Sequence, residues 1–320
     1  MTNPSVGATK VQERTYPHVE EGGSPLRDIS DTALWSAVYR TSESERSDAL
    51  FKDDLAQRLA GPRGKQIADA VPEATRHAWV IIIRTYLIDR YIMEAVSQGV
   101  DMIINLAAGL DARPYRMELP AELKWVEVDL PGLLAYKEEI LRNEKPVCSL
   151  ERIGMDLLRV DARRALLQEL GRKATRVLIV TEGLLIYLTS EQASSLARDL
   201  ALPGSFRTWI FDLPLPGLLR VLQQRIGSPL DQAGASLKLN AKGGPGSFVS
   251  CGWPTASASS MLDAATQTKR LPVEWSQSAN TSQLAGVAGN IGNEMISNLA
   301  TTPGSRSRRI DGFVCSSTRT

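Results

Sequence analysis

Apolar residues recur at helical spacing through Val80, Ile83, Leu87, Tyr91 and Ala95, and the run stops at Gly99, a residue type that ends helices by taking left-handed backbone cheaply. Upstream the pattern is also helical, with Asp31 placed to cap a helix that carries Trp35 and Val38. Helices therefore fill the chain from about Asp31 to Gly99 before the first convincing strand. That strand is Met102–Leu106, a continuous apolar run of the kind a parallel strand shows when both its faces are covered. Trp125–Val128, Ile153–Met155, Arg176–Val180 and Thr208–Phe211 read as further strands, with helical segments such as Leu133–Arg142 and Ala162–Leu170 between them. Thr189, with Gln192 three residues later, makes a capping box for a helix to about Leu200. Strand and helix in strict turn predict an α/β fold: a doubly wound, mostly parallel sheet with helices on both faces and a helical N-terminal cover. In that architecture the ligand crevice lies at the carboxyl ends of the strands.

The two ends of the chain break the pattern. Residues 1–30 are rich in Gly, Pro and charge and show no hydrophobic period, which predicts a flexible arm. Residues 273–308 are dominated by Ser, Thr, Asn, Gly and Ala, so little dense core is expected there; either a short strand near Gly312–Cys315 completes the sheet or its edge is poorly formed. The division expected is an arm over 1–30, a catalytic domain with its helical cover over 31–272, and a divergent tail over 273–320.

Composition narrows the function classes. The 320 residues are 43% hydrophobic and 23% charged, enough to bury one full α/β core. Thirty-seven basic against 36 acidic residues leave a formal charge of +1, so no global field favours nucleic acid or an anionic membrane as partner. The first residues lack the apolar run of a signal peptide and the longest aliphatic run, Val80–Ile83, stops at Arg84, which makes the cytoplasm the expected location. Cys148, Cys251 and Cys315 form no CxxC pair, and with only His18 and His77 no metal-ligand cluster is expected.

The most informative segment is Asn105–Arg113, where a buried strand ends in a turn of small residues. Gly109 allows a ligand to approach the main chain, and Ala107 and Ala108 keep the approach open. The same sequence also fits a tight strand-to-helix turn with no ligand. Asp129 ends the next strand about 20 residues later, where an acidic side chain accepts hydrogen bonds from both ribose hydroxyls of an adenosine. Dinucleotides and S-adenosylmethionine share that spacing. A dinucleotide site needs G-x-G-x-x-G, whereas the corresponding positions are Ala107, Gly109 and Ala112. Asp111 lies in the turn itself, where its carboxylate repels pyrophosphate but suits the ammonium or sulfonium end of S-adenosylmethionine. A methyltransferase is therefore preferred to an NAD-dependent oxidoreductase.

Several blocks now occur in a telling order: DTALWSAVYR, DALFKDDLAQRLAG, RTYLIDRYI, NLAAGLDARPYR, WVEVDLPGLLAYKEEIL, IGMDLL, TEGLLIYLTSEQ and FDLP, over about residues 31–215. They resemble the leucine carboxyl methyltransferase family, in particular its bacterial S-adenosylmethionine-dependent branch. The resemblance implies a Rossmann-like fold, S-adenosyl-L-methionine as cofactor, and specific roles. Arg84 holds the carboxylate of the cofactor's methionine moiety with its planar fork. Gly109 packs under the methionine backbone, Asp129 takes the ribose, Asp156 accepts from the adenine amino group, and Glu182 stands beside the methionine end. Each also has an ordinary structural reading: a solvated helix charge for Arg84, a helix cap for Asp129, a turn residue for Asp156. The segment from Gly244 keeps the family outline at Phe248, Gly252 and Trp253, and the residues beyond it lack the family's apolar content.

A methyl group on sulfonium already has a good leaving group, so catalysis can rest on holding the nucleophile in line. A phenol or alcohol would need Glu182 or Tyr187 to manage its proton, whereas a carboxylate would attack unaided. Tyr39, Arg40, Tyr86 and Tyr187 are the candidates for the substrate side, and each equally suits a structural role. The expected reaction is O-methylation of a small metabolite, carboxylate or hydroxyl. The alternatives are methylation of a protein C-terminal carboxylate and a non-catalytic cofactor-binding protein.

Overall fold

In the central parallel strands Met102–Leu106 and Val177–Thr181 neighbouring side chains belong to different halves of the core. Ile103 and Leu178 pack on one face of the sheet with Trp35, Ile83 and Leu218, while Met102, Ile104, Val177 and Ile179 pack on the other with Leu166, Leu196 and Trp209. A computed structural model describes residues 26–71, 78–214, 216–239, 243–273 and 312–319. Two-sided burial is what makes β1 (Met102–Leu106) and β4 (Val177–Thr181) read as unbroken apolar runs.

The sheet has seven strands in the order β3-β2-β1-β4-β5-β7-β6. β2 (Lys124–Asp129), β3 (Ser149–Gly154) and β5 (Phe206–Pro214) join β1 and β4 as the parallel part. β7 (Gly312–Thr318) runs antiparallel between β5 and β6 (Thr255–Ser260). The expected third strand, Ile153–Met155, is in fact the end of a strand that starts at Ser149. As the outermost strand, β3 exposes Ser149 and Glu151 and turns Arg152 to buried Glu127 at 2.8 Å, so it lacks the apolar run that marks its neighbours.

Around the sheet lie α1 (Asp31–Ser44), α2 (Ala56–Ala70), α3 (Ala78–Ser97), the single turn α4 (Arg113–Arg116), α5 (Pro131–Leu141), α6 (Val160–Arg172), α7 (Ser190–Leu200), α8 (Pro216–Gln232) and α9 (Met261–Gln267). Thr189 caps α7 with both reciprocal bonds of the capping box. Asp31, expected as a cap, is instead the first residue of α1; its Oδ2 accepts from the Arg27 N–H at 2.8 Å and pairs with Arg63 of α2 at 2.8 Å. Two arginine partners for one carboxylate tie the cover together. None of the described helices is long and apolar enough to cross a membrane.

The two ends differ from expectation. Leu26, assigned to the arm, is 1% exposed and belongs to the main core; residues 1–25, with His18, lie outside the described residues, as does His77. Residues 274–311 of the tail also lie outside them, but β7 brings Val314 and Cys315, both fully enclosed, to the interior of the sheet. The strand is paired on both sides and packs Phe313, Val314 and Cys315 into the core, so main-chain pairing and apolar burial together hold it in that position.

Candidate active site

Three strands end at the same edge of the sheet with an acidic residue: β2 with Asp129, β4 followed by Glu182, and β5 with Asp212 near its end, with β1 between β2 and β4. The turn after β1 lies among them. Its first residue, Ala107, takes φ 55° and Gly109 takes φ 51°, left-handed backbone that tightens the chain so that main-chain N–H groups point inward. Asp129 Oδ2 accepts the Gly109 N–H at 2.6 Å and its Oδ1 accepts the Leu130 N–H at 2.6 Å. Burial raises the Asp129 pKa against the pull of these two bonds.

Arginines from the helical layer answer the carboxylates. Arg84 of α3 donates from Nε to Glu182 at 3.1 Å, and its Nη1 lies 3.6 Å from Asp212. Arg113 of α4, 2% exposed in its side chain, reaches Asp89 at 2.6 Å, Asp111 at 2.8 Å and Glu182 at 2.7 Å. Burial pushes the Glu182 carboxyl up, but Arg113 and Arg84 outweigh burial and bring it down to about 2. Asp212 goes the other way: burial raises it, and Arg84 and the Gly183 N–H only partly offset that. Burial likewise raises the Tyr187 phenol. Of the two groups expected to handle a proton, Glu182 is thus a weak base and Tyr187 a protonated phenol, while Asp212, not among them, holds a proton more readily.

These groups surround a cavity of about 230 Å³, lined among others by Arg84, Gly109, Asp111, Asp129, Glu182 and Tyr187, and also by Tyr39 and Arg40. A second cavity of about 110 Å³, lined by Met155, Asp156 and Leu188, shares Ala107, Asp129, Leu130 and Leu184 with the first. Asp129 therefore stands where the two meet, and Asp156 lies on the smaller side. There Asp156 Oδ1 accepts the Leu158 N–H at 2.9 Å.

Of the candidates, Tyr86 lies away from both cavities, while Arg40 and Asp111 line the larger one and also carry structural bonds. The Arg90 guanidinium lies 5.7 Å from the Tyr86 ring centre. Arg40 is engaged by Asp53 at 2.8 Å and by the Leu110 carbonyl at 2.6 Å, which makes it a brace between α1 and the β1 turn. Asp111 lines the larger cavity and is paired there with Arg113 and with the Asn105 amide, each at 2.8 Å, so its charge also organises the turn. Sequence reasoning missed Arg113, Asp89 and Asp212. Arg113 directly follows the glycine turn and Asp212 ends its strand as Asp129 does, but neither position carries a spacing rule.

Known proteins place this chain in a family. Residues 33–201 match the model of the leucine carboxyl methyltransferase family. A Parafrankia sp. protein that bears the name of an S-adenosyl-L-methionine-dependent methyltransferase is 32% identical over 219 residues, covering 64% of this chain and 70% of that protein. A Streptomyces coelicolor protein of the same designation is 37% identical over 171 residues, 50% of this chain and 60% of its own length. Among solved structures, a DUF574 family protein of Streptomyces avermitilis superposes with a TM-score of 0.59 over 90% of this chain and 97% of its own, at 13% identity, which speaks to the fold. The chain belongs to the leucine carboxyl methyltransferase family and is a methyltransferase.

Proposed function

We propose that this methyltransferase transfers the methyl group of S-adenosyl-L-methionine to oxygen of a small metabolite. S-adenosylmethionine is the donor named for its relatives, and the residues present suit it. The observation that carries the reading is the adjacency of Arg84 and Glu182, 3.1 Å apart on the wall of the larger cavity. An α-amino acid group carries its two opposite charges within one residue's length, and this pair offers the complementary charges just as close together.

In this reading Arg84 holds the methionine carboxylate and Glu182, kept ionised by Arg113, attracts the ammonium and sulfonium. Asp129 receives the ribose hydroxyls beside the Gly109 main chain, and Asp156 meets the adenine in the smaller cavity. When bound, the cofactor supplies a methyl group on a good leaving group, so the protein's task is to hold the acceptor oxygen in line and exclude water. Arg40, Tyr39 and Tyr187 bound the acceptor side of the larger cavity.

Calorimetry with S-adenosylmethionine, S-adenosylhomocysteine and NAD tests this reading. Both adenosyl ligands bind without added metal and NAD does not; Asp129→Ala weakens S-adenosylmethionine by roughly 1.5–3 kcal/mol, the scale of hydrogen bonds to a charged group. Affinity unchanged in that variant removes Asp129 from the site, and binding of NAD alone overturns the assignment.

A further inference from the structure

The larger cavity is charged at one end and apolar at the other. Every residue that lines it beyond Asp212 in the sequence is apolar. Leu218, Leu222, Ile226 and Leu230 stand four residues apart along α8 and all line it, so one stripe of that helix faces the cavity. The stripe runs over more than three turns, about 18 Å at 1.5 Å per residue. Arg220, Gln223 and Arg225 hold the opposite, exposed side of the helix, and Ile81 of α3 and Met261 of α9 extend the apolar wall.

Bonds outside the stripe fix this wall in place. The Gln223 amide donates to the Leu237 carbonyl at 3.1 Å, and the Lys238 N–H donates to the Ile186 carbonyl at 2.9 Å. Together they hold Leu237, which also lines the cavity, between α8 and the segment that follows β4.

Net charge at the other end selects no head group, because the cavity is lined by four arginines and four carboxylates. The apolar end does discriminate. The α8 stripe offers a ligand no polar side chain, so a polar group placed against it gives up its bonds to water without replacement. A methylene laid against the same leucines and isoleucine gains affinity by leaving water. With the cofactor at the charged end, this stretch is left to the acceptor, and it is longer than one amino-acid side chain can cover.

We propose that the methyl acceptor carries an aliphatic tail, longer than one amino-acid side chain, that lies along the α8 stripe with the accepting oxygen at the charged end. The proposal rests on the methyl-transfer reading above and holds for a carboxylate or a hydroxyl head group alike. Leu222 and Ile226, in the middle of the stripe, then set which tails are taken.

The test titrates two series of probes by calorimetry into the protein saturated with S-adenosylhomocysteine: acetate, butanoate, hexanoate and octanoate, and the alcohols of the same lengths. Expected in at least one series is an affinity that rises at least about twofold per methylene up to the hexyl member or beyond, full burial being worth about fourfold per methylene. Ile226→Trp, which puts an indole across the stripe, ends the rise at a shorter chain, and Ile226→Ser flattens it. S-adenosylhomocysteine affinity stays as it was in both variants, which shows that they fold. An affinity independent of length in both series, or a rise that neither substitution alters, overturns the proposal while cofactor binding stands. So does a leucine-ended tripeptide that binds more tightly than every member of both series. Absence of S-adenosylhomocysteine binding to the native chain instead overturns the reading beneath it.

Discussion

Arg113 Nη1 lies 2.7 Å from Glu182 Oε2, and the same nitrogen lies 2.8 Å from Asp111 Oδ2. One guanidinium from a four-residue helix therefore joins the turn after β1 to the end of β4, the two main-chain segments that border the site. Removing one partner of a buried ion cluster leaves the others uncompensated, which costs about 3–5 kcal/mol. Arg113→Met is expected to lose that much stability in urea unfolding, and a loss below about 1 kcal/mol would show the cluster to be solvated.

Glu182 gives a test with a sign. Its folded pKa is depressed to about 2, below the ordinary glutamate value of about 4.3. The stabilisation it brings is thus fully present above the unfolded value and is lost as pH falls through that value toward 2. Glu182→Gln should narrow its stability difference from the native chain over that window, seen in acid titrations of Tm. The same variant should weaken S-adenosylmethionine more than S-adenosylhomocysteine if the carboxylate faces the sulfonium, because only the former carries that charge. Equal weakening places Glu182 nearer the ammonium.

Gly183 comes directly after Glu182 at φ 64°, and a Cβ built on it falls 3.0 Å from Arg84 Nη1. Gly183→Ala costs roughly 1–2 kcal/mol for left-handed backbone and displaces the Arg84 fork. Thermal unfolding and cofactor calorimetry should both register it; unchanged cofactor affinity would mean that the Arg84 position is not critical.

The capping box of α7 offers a control away from the charged cluster. Thr189→Ala removes the side-chain acceptor for the Gln192 N–H and should cost about 1 kcal/mol in Tm-derived stability. No change would indicate that solvent serves that N–H equally well.

The central strands were legible because two-sided burial writes itself as runs such as MIINL and VLIVT. The edge was not: Ser149–Gly154 and Thr255–Ser260 have a solvent side or a polar composition, and only their neighbours define them as strands. The glycine turn and Asp129 were readable from a spacing of 20 residues that the fold imposes. Asp212 and Arg113 were not, because their significance comes from meeting residues far along the chain, Arg84 and Glu182 respectively, and no local pattern records such a meeting. Tyr86 shows the converse, a chemistry-bearing residue that lines neither cavity and whose ring meets Arg90 of its own helix.

The place of β7 has a consequence for how this chain is made. Among the described residues β6 pairs with β7 and with no other strand, yet β6 ends at Ser260 and β7 begins at Gly312. On the ribosome β6 emerges first and has nothing to zip onto, while the outer edge of β5, bearing Trp209 and Phe211, stays open. A nascent chain at that stage displays an unpaired parallel sheet of the kind that recruits other chains or a chaperone. Closure comes only when the last strand slides between the two. Cys315, fully enclosed once it does so, turns from an alkylatable thiol into an inert one at that moment, so its reactivity dates the completion of the sheet.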